Sequence, residues 1–173
     1  MTDTDVDGET AKHSDKSARG NASQFFVAGE LCRRELVALV TIGNTPNTDI
    51  LVSNKEGTKF AHIQVKTFVP GNRTVSVGQK AEKDFGKNFI WVLAGIPLPS
   101  QANPFQYYVI PSEQVANNVK KAHSMWISDT GKNGRVRKDS SVRTIHLPPY
   151  KSYSGWSIDE YLNRWDIIEN LLR

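Results

Sequence analysis

The chain has 173 residues, a hydrophobic fraction of 38%, a formal net charge of +4 and a single cysteine. This length is enough for one domain with a buried core, and one cysteine excludes an internal disulfide and favours a reducing compartment. The first residues lack the apolar segment of a secretory signal, and no apolar stretch approaches the length of a membrane span, so we expect a soluble, cytoplasmic protein.

The first 23 residues differ from the rest of the chain in charge and hydropathy. They contain five acidic and three basic side chains, a net charge of −2, which leaves +6 on residues 24–173. With almost no large apolar residues, this segment is predicted to be a disordered tail that precedes a single domain over residues 24–173.

The remaining elements follow from the spacing of apolar residues. Ser23 is a plausible N-cap for a helix that runs to about residue 39 and contains Cys32 as a small buried thiol, although residues 37–42 could belong to the helix or to a first strand. Strands are predicted over 49–53, 58–68, 89–94 and 107–110, a further strand over 73–77, and a short helix over 81–87. Ser112 opens a helix that ends near residue 128, and a last helix begins at Ser157 or Asp159. This order of elements predicts a mixed α/β domain with a central sheet.

Positive charge is concentrated between residues 112 and 151, a segment with eight basic and three acidic side chains. Such a block favours a polyanionic partner such as nucleic acid, although a solvated loop explains the charge alone equally well. The candidate nucleic-acid-binding residues are Lys120, Lys121, Lys132, Arg135, Arg137, Lys138 and Arg143.

The most informative segment is the predicted hairpin over residues 49–66. Side chains alternate along a strand, so His62, Gln64 and Lys66 share one face, which also carries aromatic residues. A turn at residues 55–56 places Asp49 opposite residues 62–64, with an uncertainty of one residue in the register. An acid, an amide and an ammonium group are therefore expected together on one face of the sheet.

These groups match the needs of a phosphodiester hydrolase, which uses a hard cation held by oxygen atoms and a positive group near the developing charge. Asp49 could supply an anionic ligand, Gln64 an amide oxygen and Val65 a backbone carbonyl, while Lys66 could orient the nucleophile or stabilise charge on phosphorus. Glu30, on the edge of the first helix, could hold a water of the ion or a second ion. Simpler explanations are that Lys66 extends to solvent and that Glu30 pairs with an arginine one turn away.

The pattern D-(x)14-Q-V-K-T, preceded by the helix segment GELCRRELV and the loop NTPNTD, resembles the PD-(D/E)XK nuclease superfamily, and within it the small bacterial branches with a QxK motif. The resemblance implies a restriction-endonuclease-like α/β core, a mixed four-stranded sheet flanked by helices, and a Mg²⁺ site, where Mn²⁺ could substitute. It assigns Asp49 to the motif's aspartate, Gln64 to its (D/E) position, Lys66 to its lysine and Glu30 to the acid of the first helix.

The resemblance departs from the superfamily at Gln64, because an amide replaces the expected carboxylate. The loss of one negative charge weakens attraction for Mg²⁺ and argues for one bound ion rather than two. The resemblance still implies an endonuclease that hydrolyses DNA rather than RNA. The alternative, to which the Gln64 change points, is a nucleic-acid-binding module on the same fold that has lost catalysis. A homodimer would suit the cutting of two strands, but the residues do not show one.

Overall fold

The computed structural model describes residues 16–42, 45–131 and 134–173. Within these ranges there are three helices, α1 (Lys16–Arg33), α2 (Ser112–Ser128) and α3 (Asp166–Leu172). The same ranges contain seven strands, β1 (Val37–Val40), β2 (Ile50–Ser53), β3 (Phe60–Phe68), β4 (Thr74–Ser76), β5 (Phe89–Gly95), β6 (Gln106–Pro111) and β7 (Thr144–His146). Short 3-10 turns lie at Gln79–Glu82 and Asp159–Tyr161. Among the helices described, none is long and apolar enough to span a membrane.

Five strands form one mixed sheet in the order β1-β2-β3-β5-β6. The β3–β5 pair is parallel and the other pairs are antiparallel. Strand β5 lies next to the last strand in that order and every one of its residues is buried, which agrees with its continuous apolar sequence. The predicted mixed α/β class is confirmed, with five strands in the sheet where the resemblance implied four.

Apolar clusters cover both faces of this sheet. On one face, Val27 and Leu31 of α1 and Ile168 of α3 pack on Ile63 and Val92. On the other face, the second cluster contains Val115 and Val119 of α2 with Phe89, Trp91 and Tyr108 of the sheet. The odd-numbered residues of β3 therefore lie under α1, as the alternation of the sequence predicts.

Helix α1 differs from its prediction at both ends. It begins at Lys16, so residues 16–23, predicted to belong to the tail, are helical, while residues 1–15 lie outside the described residues. Ser23 is not an N-cap, because its hydroxyl bonds the Gly20 carbonyl oxygen (2.7 Å) and the Thr67 hydroxyl of β3 (2.6 Å). The helix ends at Arg33 because Glu35 takes a left-handed backbone conformation (φ 65°), and Cys32 is exposed rather than buried.

The last predicted helix is divided in the structure. A 3-10 turn at Asp159–Tyr161 is followed by a break and then by α3. Asn163 adopts a positive φ of 55°, and its N–H donates to the Tyr107 carbonyl of β6 at 2.6 Å. This backbone bond between the break and the sheet edge replaces the helical bond that periodicity alone predicts.

The segment between β3 and β5 also differs from its prediction. The expected short helix over 81–87 is a 3-10 turn at Gln79–Glu82, and β4 forms its own two-stranded sheet with β7, which was not predicted. The 3-10 turn contacts α2 and lies beside the middle of β3, where it contributes to the site described next.

Candidate active site

The site begins where strand β2 stops pairing with β3. The register joins Ile50 to Ile63, which places Asp49 opposite Gln64 and confirms the predicted hairpin geometry. The Asp49 N–H donates to the Ile63 carbonyl oxygen at 2.9 Å. From Gln64 onward, the edge of β3 that faces away from β5 has no paired strand in the described chain, and its backbone is available to side chains and ligands.

The Asp49 carboxylate fills this position at the strand edge. Its Oδ2 accepts a hydrogen bond from the Val65 N–H at 2.7 Å and another from the Gln64 side-chain amide. N–H and C=O of one strand residue point to the same side, so the Val65 carbonyl also faces this edge. Asp49 is therefore held in position by the strand, with Oδ1 making no hydrogen bond to the described residues.

A shallow depression of about 350 Å³ surrounds these groups. Its wall on the strand side consists of Asp49 and residues 64–67, and its wall on the helix side consists of Gly20, Asn21 and Gln24 of α1. Lys66 lines the depression and is half-buried, and no hydrogen bond or ion pair fixes its ammonium group among the described residues. An anion placed in the depression would lie next to this lysine.

Gln64 is 4% exposed and both ends of its amide are engaged. The nitrogen donates to Asp49, and the oxygen accepts a hydrogen bond of 2.7 Å from the Lys80 ammonium group. A carboxylate can only accept and an ammonium can only donate, so these neighbours fix the orientation of the amide. The result is a chain of three groups, carboxylate, amide and ammonium, in which both hydrogen bonds are assisted by charge.

Sequence reasoning did not identify Lys80. It lies on the 3-10 turn at Gln79–Glu82, and burial lowers its pKa, as does the neighbouring Lys66 cation, while the Asp49 carboxylate acts in the opposite direction. The site thus has two lysines and one carboxylate. No signal in the sequence points to Lys80, because its approach to β3 depends on the path of the chain through β4.

Glu30 lies away from this group. Both of its carboxylate oxygens are bonded to arginines, to Arg33 at 2.8 and 2.9 Å and to Arg34 at 2.9 Å, and Arg34 also bonds Glu169 of α3. The hydrogen bond from Arg33 is the main cause of a lowered pKa at Glu30. On a helix of 3.6 residues per turn, Glu30 is about 120° around from Gln24, which faces the depression. The assignment of Glu30 to the catalytic set is therefore not supported, and its pairing with arginine is the explanation that holds.

The candidate nucleic-acid-binding residues divide into exposed and engaged side chains. Lys120 and Lys121 on α2 are exposed, as are Arg135 and Lys138, while Lys132 lies outside the described residues. Arg143 is 4% exposed and pairs with Glu82 and Asp139, so it is a structural residue rather than a surface cation.

Arg137 is engaged within a second cavity. Its guanidinium group lies over the rings of Trp126 and Tyr153, which line a cavity of about 490 Å³ beside α2. It also bonds the Trp126 carbonyl oxygen and lies 3.7 Å from Asp129. Four of the candidate residues, Lys120, Lys121, Arg135 and Lys138, are exposed and form no ion pair with the described residues.

Oxygen donors suitable for Mg²⁺ are present, but their charge is small. Asp49 supplies the one carboxylate, the Val65 carbonyl is a second oxygen on the same edge, and the described residues hold no group of three His, Cys, Asp or Glu side chains that could bind a metal ion. Mg²⁺ is commonly held by one or two carboxylates, several waters and substrate phosphates, so this donor set fits a single weakly held ion. The amide oxygen of Gln64 joins the set only if Lys80 releases it.

The fold is shared with a solved structure over most of the length of both chains. The chain is similar to the bacterial homing endonuclease I-Ssp6803I, with 17% sequence identity and a TM-score of 0.53, over 90% of this chain and 93% of that chain. At this identity the similarity shows a shared fold. No protein-family model matches the chain, and no curated protein matches it.

Proposed function

We propose that this chain is a metal-dependent endonuclease that hydrolyses phosphodiester bonds of DNA. The observation that carries the proposal is the convergence of Asp49, Val65 and Lys66 at the unpaired edge of β3, in an open depression with a lysine that no described residue neutralises. The shared fold with a bacterial homing endonuclease supports a nucleic-acid substrate for a site of this kind.

The residues divide the chemistry among them. Asp49 is anchored through Oδ2 and directs its remaining oxygen and charge into the depression, which attracts a cation to the strand edge. Lys66 lies beside this position, where its charge stabilises the negative charge that builds on phosphorus as the bond breaks. A bound Mg²⁺ would polarise the phosphate and lower the pKa of a water at the same place. Asn21 and Gln24 supply neutral amides that can hold a sugar or a water at the opposite wall.

The exposed cations provide the binding surface in this proposal. Lys120, Lys121, Arg135 and Lys138 carry no described ion pair, and exposed lysine and arginine side chains bind phosphates without regard to sequence. This contribution to affinity falls steeply as the salt concentration rises. Lysine and arginine side chains release counterions from the DNA when they bind its phosphates, and this release is less favourable at high salt.

The alternative is a DNA-binding module that does not cleave. It is favoured by one observation, the hydrogen bond that holds the Gln64 oxygen against Lys80 and leaves Asp49 as the one charged ligand. Such a site has less attraction for Mg²⁺ than a site with two carboxylates.

Cleavage of supercoiled plasmid DNA and of short duplexes in Mg²⁺ or Mn²⁺ separates these functions. We expect the wild-type chain to nick or linearise DNA only with metal, and Asp49→Asn to bind DNA with unchanged affinity while losing cleavage by at least about a hundredfold. DNA binding without cleavage in either metal would favour the binding module. Absence of DNA binding at low salt would contradict both functions.

A further inference from the structure

The orientation of the Gln64 amide carries an inference about how metal reaches the site. The amide oxygen is the atom that a cation would need, yet it bonds Lys80 at 2.7 Å, while the nitrogen faces Asp49. A cation placed between Asp49 and Gln64 would therefore meet an N–H group on one side. The amide must rotate about its last torsion before Gln64 can offer oxygen to the ion.

Lys80 sets this orientation. Gln64 is 4% exposed, so water has little access to its amide. If Asp49 and Lys80 both left, the amide nitrogen and oxygen would be buried without hydrogen-bond partners. Lys80 is an exposed residue on a short 3-10 turn, so its ammonium group can move toward solvent or toward a phosphate once another cation takes its place at the Gln64 oxygen. Of the three hydrogen-bonded residues, Asp49, Gln64 and Lys80, Lys80 is the exposed one and therefore the one whose side chain can move away.

We propose that Lys80 is a positioning residue that competes with the metal ion for the Gln64 amide oxygen, an inference that rests on the proposed nuclease function. With Lys80 in place, Gln64 supports Asp49 as a hydrogen-bond donor and the site holds metal poorly. A DNA phosphate draws Lys80 away, the amide turns, and its oxygen joins Asp49 and the Val65 carbonyl as a ligand. Metal binding and DNA binding then strengthen each other, as linkage between two sites requires.

Binding of Mn²⁺ alone, measured by electron paramagnetic resonance without DNA, tests the proposal independently of activity. We expect Lys80→Met to lower the Kd for Mn²⁺ by about tenfold, because the charge-assisted bond that opposes rotation is lost. Lys66→Met is the matched control, since it also removes one lysine charge near Asp49 but breaks no hydrogen bond to Gln64. Lys66→Met should tighten Mn²⁺ binding by only about twofold, because it removes the repulsion between the lysine charge and the ion and changes nothing else at Gln64.

A double-mutant cycle with Gln64→Met gives the decisive comparison. Methionine fills a similar volume but offers no oxygen, so in this background Lys80→Met should have no more effect than Lys66→Met. The side-chain amide resonance of Gln64 provides a second measurement, and it should shift in Lys80→Met while staying in place in Lys66→Met. Equal effects of the two lysine changes on the Kd, or no measurable Mn²⁺ binding in Lys80→Met, would overturn the proposal.

Asp49→Asn distinguishes failure of this inference from failure of the proposed function. Mn²⁺ binding that persists unchanged in Asp49→Asn would contradict the metal site itself. Binding that requires Asp49 but is indifferent to Lys80 would overturn the competition and leave the nuclease proposal intact.

Discussion

Removal of the Asp49 side chain should destabilise the protein as well as disable the site. The Asp49 Oδ2 is the acceptor for the N–H of Val65, which is 6% exposed, and for the Gln64 amide, which is also buried. Asp49→Ala leaves both donors without a partner. An orphaned buried donor costs about 1–3 kcal/mol, so we expect the free energy of unfolding to fall by roughly 2–4 kcal/mol.

Asp49→Asn is the control for this stability change. Its amide oxygen can still accept the Val65 N–H, so the loss should be limited to about 1 kcal/mol from the weaker, uncharged bond. Urea denaturation followed by circular dichroism measures both values, and for a chain of this size Asp49→Ala should lower Tm by roughly 5–15 °C.

Hydrogen exchange of the Val65 amide gives a local measure of the same bond. Exchange should accelerate in Asp49→Ala and stay close to the wild-type rate in Asp49→Asn. If Asp49→Ala were as stable as the wild type, with an equally protected Val65 amide, the carboxylate would not be anchored on β3 and the geometry of the site would be wrong.

Three further predictions concern residues outside the depression. Glu30→Gln should leave DNA cleavage unchanged and lower the free energy of unfolding at pH 7 by about 1 kcal/mol. Because the pKa of Glu30 is lowered in the folded state, this difference between variant and wild type should disappear as the pH falls through that pKa. A difference in urea titrations that does not change with pH would contradict the ion pairs of Glu30. Arg143→Met should destabilise by roughly 3 kcal/mol in thermal unfolding because it leaves the Glu82 carboxylate uncompensated, and a neutral effect would show that the pair is not buried. Changing Lys120 and Lys121 together to alanine should reduce the slope of log K against log salt for DNA binding by about 2, whereas an unchanged slope would remove α2 from the DNA-binding surface.

The hairpin was predictable because its signals are local. Two apolar runs joined by a short turn fix the register within one residue, which puts Gln64 opposite Asp49. The alternation of side chains then places Lys66 on the same face as Gln64. The buried strand β5 and helix α2 were likewise evident from composition and periodicity. The class of the fold follows from these elements.

The parts that sequence reasoning missed depend on contacts between distant segments. Lys80 reaches Gln64 because the 3-10 turn at Gln79–Glu82 lies beside β3. Ser23 lies inside α1, where its hydroxyl bonds Thr67 of the sheet. Glu30 was assigned to the site from its place on the first helix, but the neighbouring Arg33 and Arg34 satisfy its carboxylate. A helical-wheel comparison with Gln24 would have placed Glu30 on another face.

The nuclease proposal is tested most directly by the rate of plasmid nicking in Mg²⁺ by wild type, Lys66→Met and Lys59→Met. Lys59 is an exposed lysine just before β3, about 23 Å along the strand from Lys66, and serves as the matched control for the loss of one charge. We predict that Lys59→Met cleaves at the wild-type rate and that Lys66→Met is slower by at least about a hundredfold with DNA affinity retained. Equal rates for the two lysine variants, or the absence of metal-dependent nicking by the wild-type chain, would contradict the assignment of the β3 depression as a nuclease site.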